Sequence, residues 1–235
     1  MVTAMPREAH RLERLDRPMP PEDLATSLAD IERLNAWFGG HRLTLGEVTR
    51  RLAGLPRDRR ILVLDVGGGR GDFARHLAGW TRRERRSLRV LVLDRDGPTA
   101  ALARRHCADM PEITVVQGDA TALPFREDSV DVAVSVLTLH HLDPDGATAM
   151  LAEMRAAARD ALVVNDLLRG RVAWLAVWLT TRCFARHPAS RHDGPLSVRR
   201  SYSVRELETL AQKARLGRVT IRRVPWLVRT LLCAP

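Results

Sequence analysis

The stretch Asp65-Val66-Gly67-Gly68-Gly69-Arg70-Gly71-Asp72 decides the fold. Ahead of it, Ile61 to Val66 is an apolar, β-branched run without polar alternation, the pattern of a strand buried on both faces. Behind it, a helix is expected from about Asp72 to Trp80. A strand therefore ends, the chain turns sharply, and a helix begins. Gly67 and Gly69 permit backbone conformations closed to other residues and let a ligand lie against the peptide groups. The helix start adds free N–H donors. The spacing then selects the ligand. A dinucleotide turn reads G-x-G-x-x-G/A. Counted from Gly67, its third position is Asp72, where close packing needs Gly or Ala and where an acid repels pyrophosphate. Counted from Gly68, its second glycine would be Arg70. No Gly-Lys-Ser/Thr follows, so a P-loop is excluded as well.

Outward from this turn, strands and helices alternate. Val90 to Asp94 reads as a strand followed by a helix from Pro98 to Ala108. Ile113 to Val116 is a third strand, ending at Gly118-Asp119. Val130 to Leu137 is a fourth, with a helix from Asp145 to Ala158. Ala161 to Asn165 is a fifth. Such repetition predicts an α/β, doubly wound, Rossmann-like sheet. Residues 1–59 stand apart as a helical cap. Apolar residues Leu24, Leu28, Ile31 and Leu34 predict a helix over Glu22 to Trp37, stopped by Gly39-Gly40, with a second helix over Leu43 to Leu55. Residues 60–235 form the main domain. Residues 168–200 are an insertion after the fifth strand, with an aromatic helix around Trp174 and Trp178. Ser203 and Glu206 have the capping-box spacing at the start of a helix that reaches Lys213. Val219 to Val224 and Trp226 to Leu232 read as an antiparallel pair split by Pro225.

What fits the glycine run is D-x-G-x-G-x-G, and here the chain resembles the class I S-adenosylmethionine-dependent methyltransferases. Asp94 ends the second strand, where the family places an acid on the ribose hydroxyls; a carboxylate accepts two such bonds. Gly118-Asp119-Ala120 ends the third, where the family uses an acid on the adenine amino group. Each acid alone is equally a helix cap or turn residue; three in register at successive strand ends carry the reading. The resemblance implies a seven-stranded sheet of order 3-2-1-4-5-7-6 with the last strand antiparallel. It also implies S-adenosylmethionine as cofactor, held by Asp65, Gly67, Gly69, Gly71, Asp94, Arg95, Asp119, Ala120 and Leu137.

The fourth strand runs into Leu137-Thr138-Leu139-His140-His141-Leu142-Asp143. It has neither the Asn/Asp-Pro-Pro-Tyr/Phe of base-amine methyltransferases nor the Pro-Cys of cytosine enzymes. The His-His pair resembles small-molecule, quinone-biosynthesis-like methyltransferases, and either His140 or His141 could take a proton from a phenol. One packing under the cofactor and the other capping a turn is the competing account. Trp37, Phe38, His41, Trp174, Trp178, His192 and Tyr202 are candidate acceptor contacts, with Phe184 a further wall. Docking of the Trp174 helix on the sheet, and a solvated loop around His192-Asp193-Gly194-Pro195, are the plainer readings. The Leu34–His41 and Arg191–Gly194 stretches resemble methyltransferases encoded beside type III polyketide synthases, which implies O-methylation of a phenolic lipid, with C-methylation as a variant.

The 235 residues carry Lys+Arg 38 against Asp+Glu 28, a net charge of +10. Lys213 is the one lysine; every other such cation is arginine. Phosphate-binding surfaces usually mix the two types, so this charge argues coding bias more than a nucleic-acid footprint. An RNA or DNA methyltransferase remains the first rival and a non-catalytic cofactor-binding protein the second. Cys107, Cys183 and Cys233 show no metal spacing, no metal is expected, and a reduced, cytoplasmic setting is the simplest account. The first 30 residues lack an apolar signal core, and the Val172–Leu179 run is too short to span a bilayer.

Overall fold

The computed structural model describes residues 5–235. Seven strands form one sheet: β1 (Ile61–Val66), β2 (Leu88–Asp94), β3 (Ile113–Gln117), β4 (Val130–Val136), β5 (Ala158–Leu167), β6 (Thr220–Val224) and β7 (Arg229–Ala234). Their order is β3-β2-β1-β4-β5-β7-β6, with β7 antiparallel to both neighbours, as the resemblance implies. The registers of β1 with β2 and β4 place Asp65 beside Val92 and Val134. The five parallel strands therefore all deliver their carboxyl ends to one edge, where ligands bind in open α/β sheets.

Among the described residues, eight α-helices complete the fold: α1 (Pro21–Trp37), α2 (Gly40–Ala53), α3 (Asp72–Arg83), α4 (Gly97–His106), α5 (Pro144–Ala157), α6 (Arg171–Phe184), α7 (Pro188–Arg200) and α8 (Val204–Lys213). Two apolar clusters sandwich the sheet. One joins β1, β4 and β5 to α5 and α8 through Leu64, Leu139, Met150, Met154 and Leu210. The other joins β1 and β2 to α3 through Val63, Val90, Phe73 and Leu77, and includes Val48 and Leu52 of α2. Helix α2 thus shares the core of the sheet. Its tie is also polar: Asn165 on β5 donates to the Gly40 carbonyl at 3.2 Å and to Thr44 Oγ1 at 2.7 Å.

Several boundaries differ from the sequence reading for local reasons. Helix α2 starts at Gly40 because only Gly39 adopts a left-handed conformation (φ 74°), so one glycine suffices for the break. Strand β5 continues through Asp166 and Leu167, held by β7 on its free edge. Trp226 belongs to a short 3-10 turn, Pro225–Leu227, rather than to a strand. The stretch around His192 is not a loop; it lies inside α7, which carries Pro195 within it. The capping box at Ser203 and Glu206 is present in both directions.

Candidate active site: a cofactor cleft joined to an apolar cavity

The turn after β1 opens a cleft of about 720 Å³ at the carboxyl edge of the sheet. Gly67 (φ 67°) and Gly68 direct their N–H groups to the Leu93 carbonyl at 2.8 and 3.1 Å, pinning the loop to β2. A Cβ on Gly67 would stand 2.3 Å from Thr138 Cγ2, so the position is closed to any side chain. Gly71 (φ 83°) ends the turn as the residue before α3, and a Cβ there would meet Cys107 Sγ at 2.7 Å. Arg70 pairs with Glu32 of α1 at 2.9 Å and Asp72 at 3.0 Å, strapping the loop to the first helix.

Three of the carboxylates that line this cleft stand at or just beyond the ends of β1, β2 and β3. Asp94 accepts the Gly69 N–H at 3.0 Å on one oxygen and the Asp96 N–H at 3.0 Å on the other, which fixes the carboxylate with lone pairs to spare. Burial raises its pKa against those two bonds. Asp119 accepts both the N–H and the hydroxyl of Thr121 on one oxygen, and these bonds lower its pKa. Asp65 is fully buried, and neither of its oxygens has a partner. Burial, then the nearby charge of Asp94, pushes it up to about 7. An orphaned buried carboxyl facing a cleft calls for a cationic or donor ligand. S-adenosylmethionine, with its ammonium, ribose hydroxyls and adenine amine, fits this acid-rich lining.

A second cavity of about 310 Å³ adjoins the cleft. Ile31, Leu34, Phe38, Leu137, Leu167, Val177 and Leu227 give it apolar walls. Leu15, Ile31, Asn35, Leu137 and His141 border both spaces. Leu137 holds a left-handed conformation (φ 59°), which costs a branched residue about 1–2 kcal/mol. That strain sits where β4 ends and the two spaces meet, as backbone strain at functional sites does.

The polar groups of the second cavity are clustered. His140 is buried, and Asp166 holds its Nδ1 at 2.7 Å and its backbone N–H at 3.0 Å. Nδ1 of His141 meets Asp16 at 2.7 Å. Glu13 faces both imidazoles: its oxygens lie 3.6 Å from His140 Nε2 and 3.9 Å from His141 Nε2. Burial opposes charge on His141, but Glu13 and Asp16 outweigh it and raise the group to about 9. Burial likewise opposes charge on Asp166, yet His140 keeps its pKa below the usual value. Arg200 donates to the carbonyls of His140 and His141 at 3.2 and 2.9 Å and fixes the turn from behind.

The N-terminal segment reaches this cluster through polar anchors. Asp193 accepts the N–H groups of Arg14 and Leu15 at 2.9 and 3.1 Å, and Ser197 donates to Glu13 at 2.9 Å. Glu13, Asp16 and Asp166 were not anticipated from the sequence. The first two lie in an irregular segment without periodicity, and β5 was read one residue too short to include the third.

Of the candidate cofactor residues, Asp65, Gly67, Gly69, Asp94, Arg95, Asp119, Ala120 and Leu137 line the cleft. Gly71 does not; it is packed against Cys107. Of the candidate acceptor contacts, only Phe38 lines the apolar cavity. His41 faces the cofactor cleft instead, with Nε2 unpartnered and its pKa lowered to about 4 by burial and then by His76. Tyr202 is buried with its hydroxyl donating to the Leu142 carbonyl, and burial pushes it up to about 12. His192 pairs with Asp193 and Arg11 outside both spaces. Helix α6 is turned the other way from the expected aromatic wall: Ala176, Val177, Thr180 and Thr181 face the cavity. Trp174 packs beside Leu167 and Val198, Trp178 stacks on Trp174 toward solvent, and Trp37 meets Phe184 edge-on at the surface. Val172, Leu175 and Leu179 are exposed rather than docked on the sheet.

Residues 63–161 match the family described as methyltransferase domain. A probable S-adenosylmethionine-dependent methyltransferase of Mycolicibacterium smegmatis is 34% identical over 108 residues, covering 46% of this chain and 36% of that protein. The chain thus spans about a third of that relative's length. Among solved structures, a proposed O-methyltransferase from Nostoc punctiforme superposes with a TM-score of 0.66 at 15% identity, covering 97% of this chain and 64% of that one. Magnesium protoporphyrin IX methyltransferase from Synechocystis PCC 6803, solved with bound SAH, gives 0.56 at 16% identity and covers 83% of each chain. At such identities these likenesses speak for the fold. Residues 63–161 are therefore similar to a methyltransferase domain, and the chain as a whole shares the fold of these solved methyltransferase structures.

Proposed function

We propose that this protein methylates the hydroxyl oxygen of a small apolar acceptor, a phenol or quinol of polyketide or lipid type. The observation that carries the reading is the junction: an apolar cavity of about 310 Å³ shares Leu137 and His141 with the cofactor cleft, and His140 lines the apolar side. When bound, S-adenosylmethionine supplies an electrophilic methyl group on its sulfonium. Asp65, Asp94 and Asp119 would hold it, with the Gly67–Gly69 backbone beneath. Leu137 and Ile31 would then separate the reacting atoms from water while the apolar walls align the acceptor. His140 is the residue placed to take the acceptor's proton, because Asp166 fixes its Nδ1 and leaves Nε2 toward the cavity. Residues 60–235 serve as the methyltransferase unit, with 1–59 as a cap and 168–200 forming the far wall of the acceptor cavity.

The exposed apolar face of α6 (Val172, Leu175, Leu179) points outward from the helix whose inner face walls that cavity, and suits approach of a lipid-like acceptor. The arginines support the same choice over nucleic acid. Arg82 pairs with Glu112, and Arg86 donates to the carbonyls of Leu52, Leu55 and Pro56. These sit at the amino-terminal edge of the sheet, opposite the cleft. The test is methyl transfer from labelled cofactor to alkylresorcinols, alkylquinols and bulk RNA. Label in the phenols supports the proposal. Label in RNA alone overturns it, and cofactor binding with no transfer to any acceptor favours a binding protein.

A further inference from the structure

The polar cluster between the two cavities has the form of a metal site. Glu13, His140 and His141 each offer one ligand atom, and these atoms lie within 4.8 Å of one another. Both imidazoles have Nδ1 committed to a carboxylate, His140 to Asp166 and His141 to Asp16, each at 2.7 Å. With Nδ1 so occupied, the Nε2 atoms of both rings are left facing the Glu13 carboxylate. The gaps are 3.6 Å from Glu13 Oε1 to His140 Nε2 and 3.9 Å from the other oxygen, Oε2, to His141 Nε2, both beyond hydrogen-bond length. Two ligands about 2.1 Å from one tetrahedral ion stand about 3.4 Å apart, close to these separations.

We propose that Glu13 Oε, His140 Nε2 and His141 Nε2 bind one divalent first-row transition cation, such as Zn²⁺, Mn²⁺ or Fe²⁺, with its open coordination positions facing the acceptor cavity. Two imidazoles and one carboxylate suit that class of ion better than Mg²⁺ or Ca²⁺, which prefer oxygen ligands. Charge agrees. The carboxylates of Glu13, Asp16 and Asp166 converge on the site against two guanidinium groups: Arg200, which stands 3.7 Å from Glu13 and 3.5 Å from Asp16, and buried Arg229, which lines the same cavity and faces the charge of Asp166. Asp16 and Asp166 are then the outer carboxylates that orient metal-bound histidines. All three ligands line the apolar cavity, so the ligand for the open positions is an acceptor oxygen; with His140 Nε2 then on the ion, the bound hydroxyl gives its proton to solvent rather than to that imidazole. That last step rests on the methyltransferase reading; the metal site itself does not.

The experiment uses the full chain, stripped with chelator and dialysed. Co²⁺ is the spectroscopic probe and Zn²⁺ the calorimetric one, with S-adenosylhomocysteine binding measured on the same samples. One ion per chain and a visible Co²⁺ absorption band are expected. Glu13→Gln and His140→Gln should each weaken Zn²⁺ binding at least tenfold. Asp16→Asn, which touches no ion, should weaken it about 10–100-fold. His76→Ala removes the only other described close histidine pair, His41 with His76, and should leave the affinity unchanged. Retained S-adenosylhomocysteine binding shows that a variant is folded. No Co²⁺ band in the native protein, or stoichiometric binding that survives Glu13→Gln and Asp16→Asn in folded protein, overturns the site. Cofactor binding and methyl transfer by native protein that binds neither Co²⁺ nor Zn²⁺ would sink this inference and spare the proposed function. Metal binding without methyl transfer would do the reverse.

Discussion

Asp166 grips His140 twice, taking the ring Nδ1 at 2.7 Å on one oxygen and the backbone N–H at 3.0 Å on the other. The last turn of β5 thereby fixes both the position and the tautomer of a histidine 26 residues earlier. Asp166→Asn keeps the volume and one hydrogen bond but removes the charge. We expect methyl transfer to fall about 10–100-fold while S-adenosylhomocysteine affinity stays within twofold. Equal loss of both, measured by steady-state kinetics and calorimetry, would assign Asp166 a structural role only.

Asp94 joins the glycine turn to the cofactor cleft through the Gly69 N–H. Asp94→Ala removes the acceptor for two backbone donors and for the expected ribose hydroxyls. Hydrogen bonds to charged groups are worth about 1.5–3 kcal/mol each, so cofactor affinity should fall at least a hundredfold. Calorimetry with S-adenosylhomocysteine checks this, and an unchanged affinity would move the cofactor elsewhere.

Asp65 makes the cofactor-free protein pH-sensitive. Its pKa is raised from 3.8 to about 7 by burial and by Asp94. A carboxyl raised in the folded state adds stability fully present below pH 4 and lost as pH climbs through 7. The melting temperature without ligand should therefore fall between pH 5 and pH 8. Asp65→Asn should flatten that slope and also weaken cofactor binding at least tenfold. A slope identical in both proteins would exclude Asp65 as its source.

Gly67 is closed by its neighbour as well as by its backbone. Gly67→Ala brings a Cβ to 2.3 Å from Thr138 and places it at φ 67°. The left-handed conformation alone costs about 1–2 kcal/mol, so thermal stability and cofactor affinity should both drop. The double variant with Thr138→Ser, which removes the clashing methyl group, should recover part of the stability.

Val177 tests the acceptor cavity. Val177→Trp fills space lined by Leu34, Leu167 and Leu227 without touching the glycine cleft. The KM for an alkylresorcinol should rise at least tenfold with cofactor affinity unchanged. An unaltered KM would remove this cavity from the reaction.

The sequence determined the sheet and the cofactor cleft because both are written in short-range patterns. Apolar runs ending in Asp65, Asp94 and Asp119, with Gly67 and Gly69 between strand and helix, need only neighbours within a few residues to be read. His140 and His141 were legible as a pair beside the cleft for the same reason. What surrounds them was decided by tertiary structure. Glu13 and Asp16 come from an irregular segment more than a hundred residues away, held by Asp193 and Ser197 of α7. Helical spacing in α6 showed that its residues shared faces but not which face met the cavity, and packing against α7 turned Val177 and Thr181 inward and Leu175 outward. Periodicity records which residues lie together on one element. Which partner covers each face depends on long-range contacts made only when the whole chain has folded.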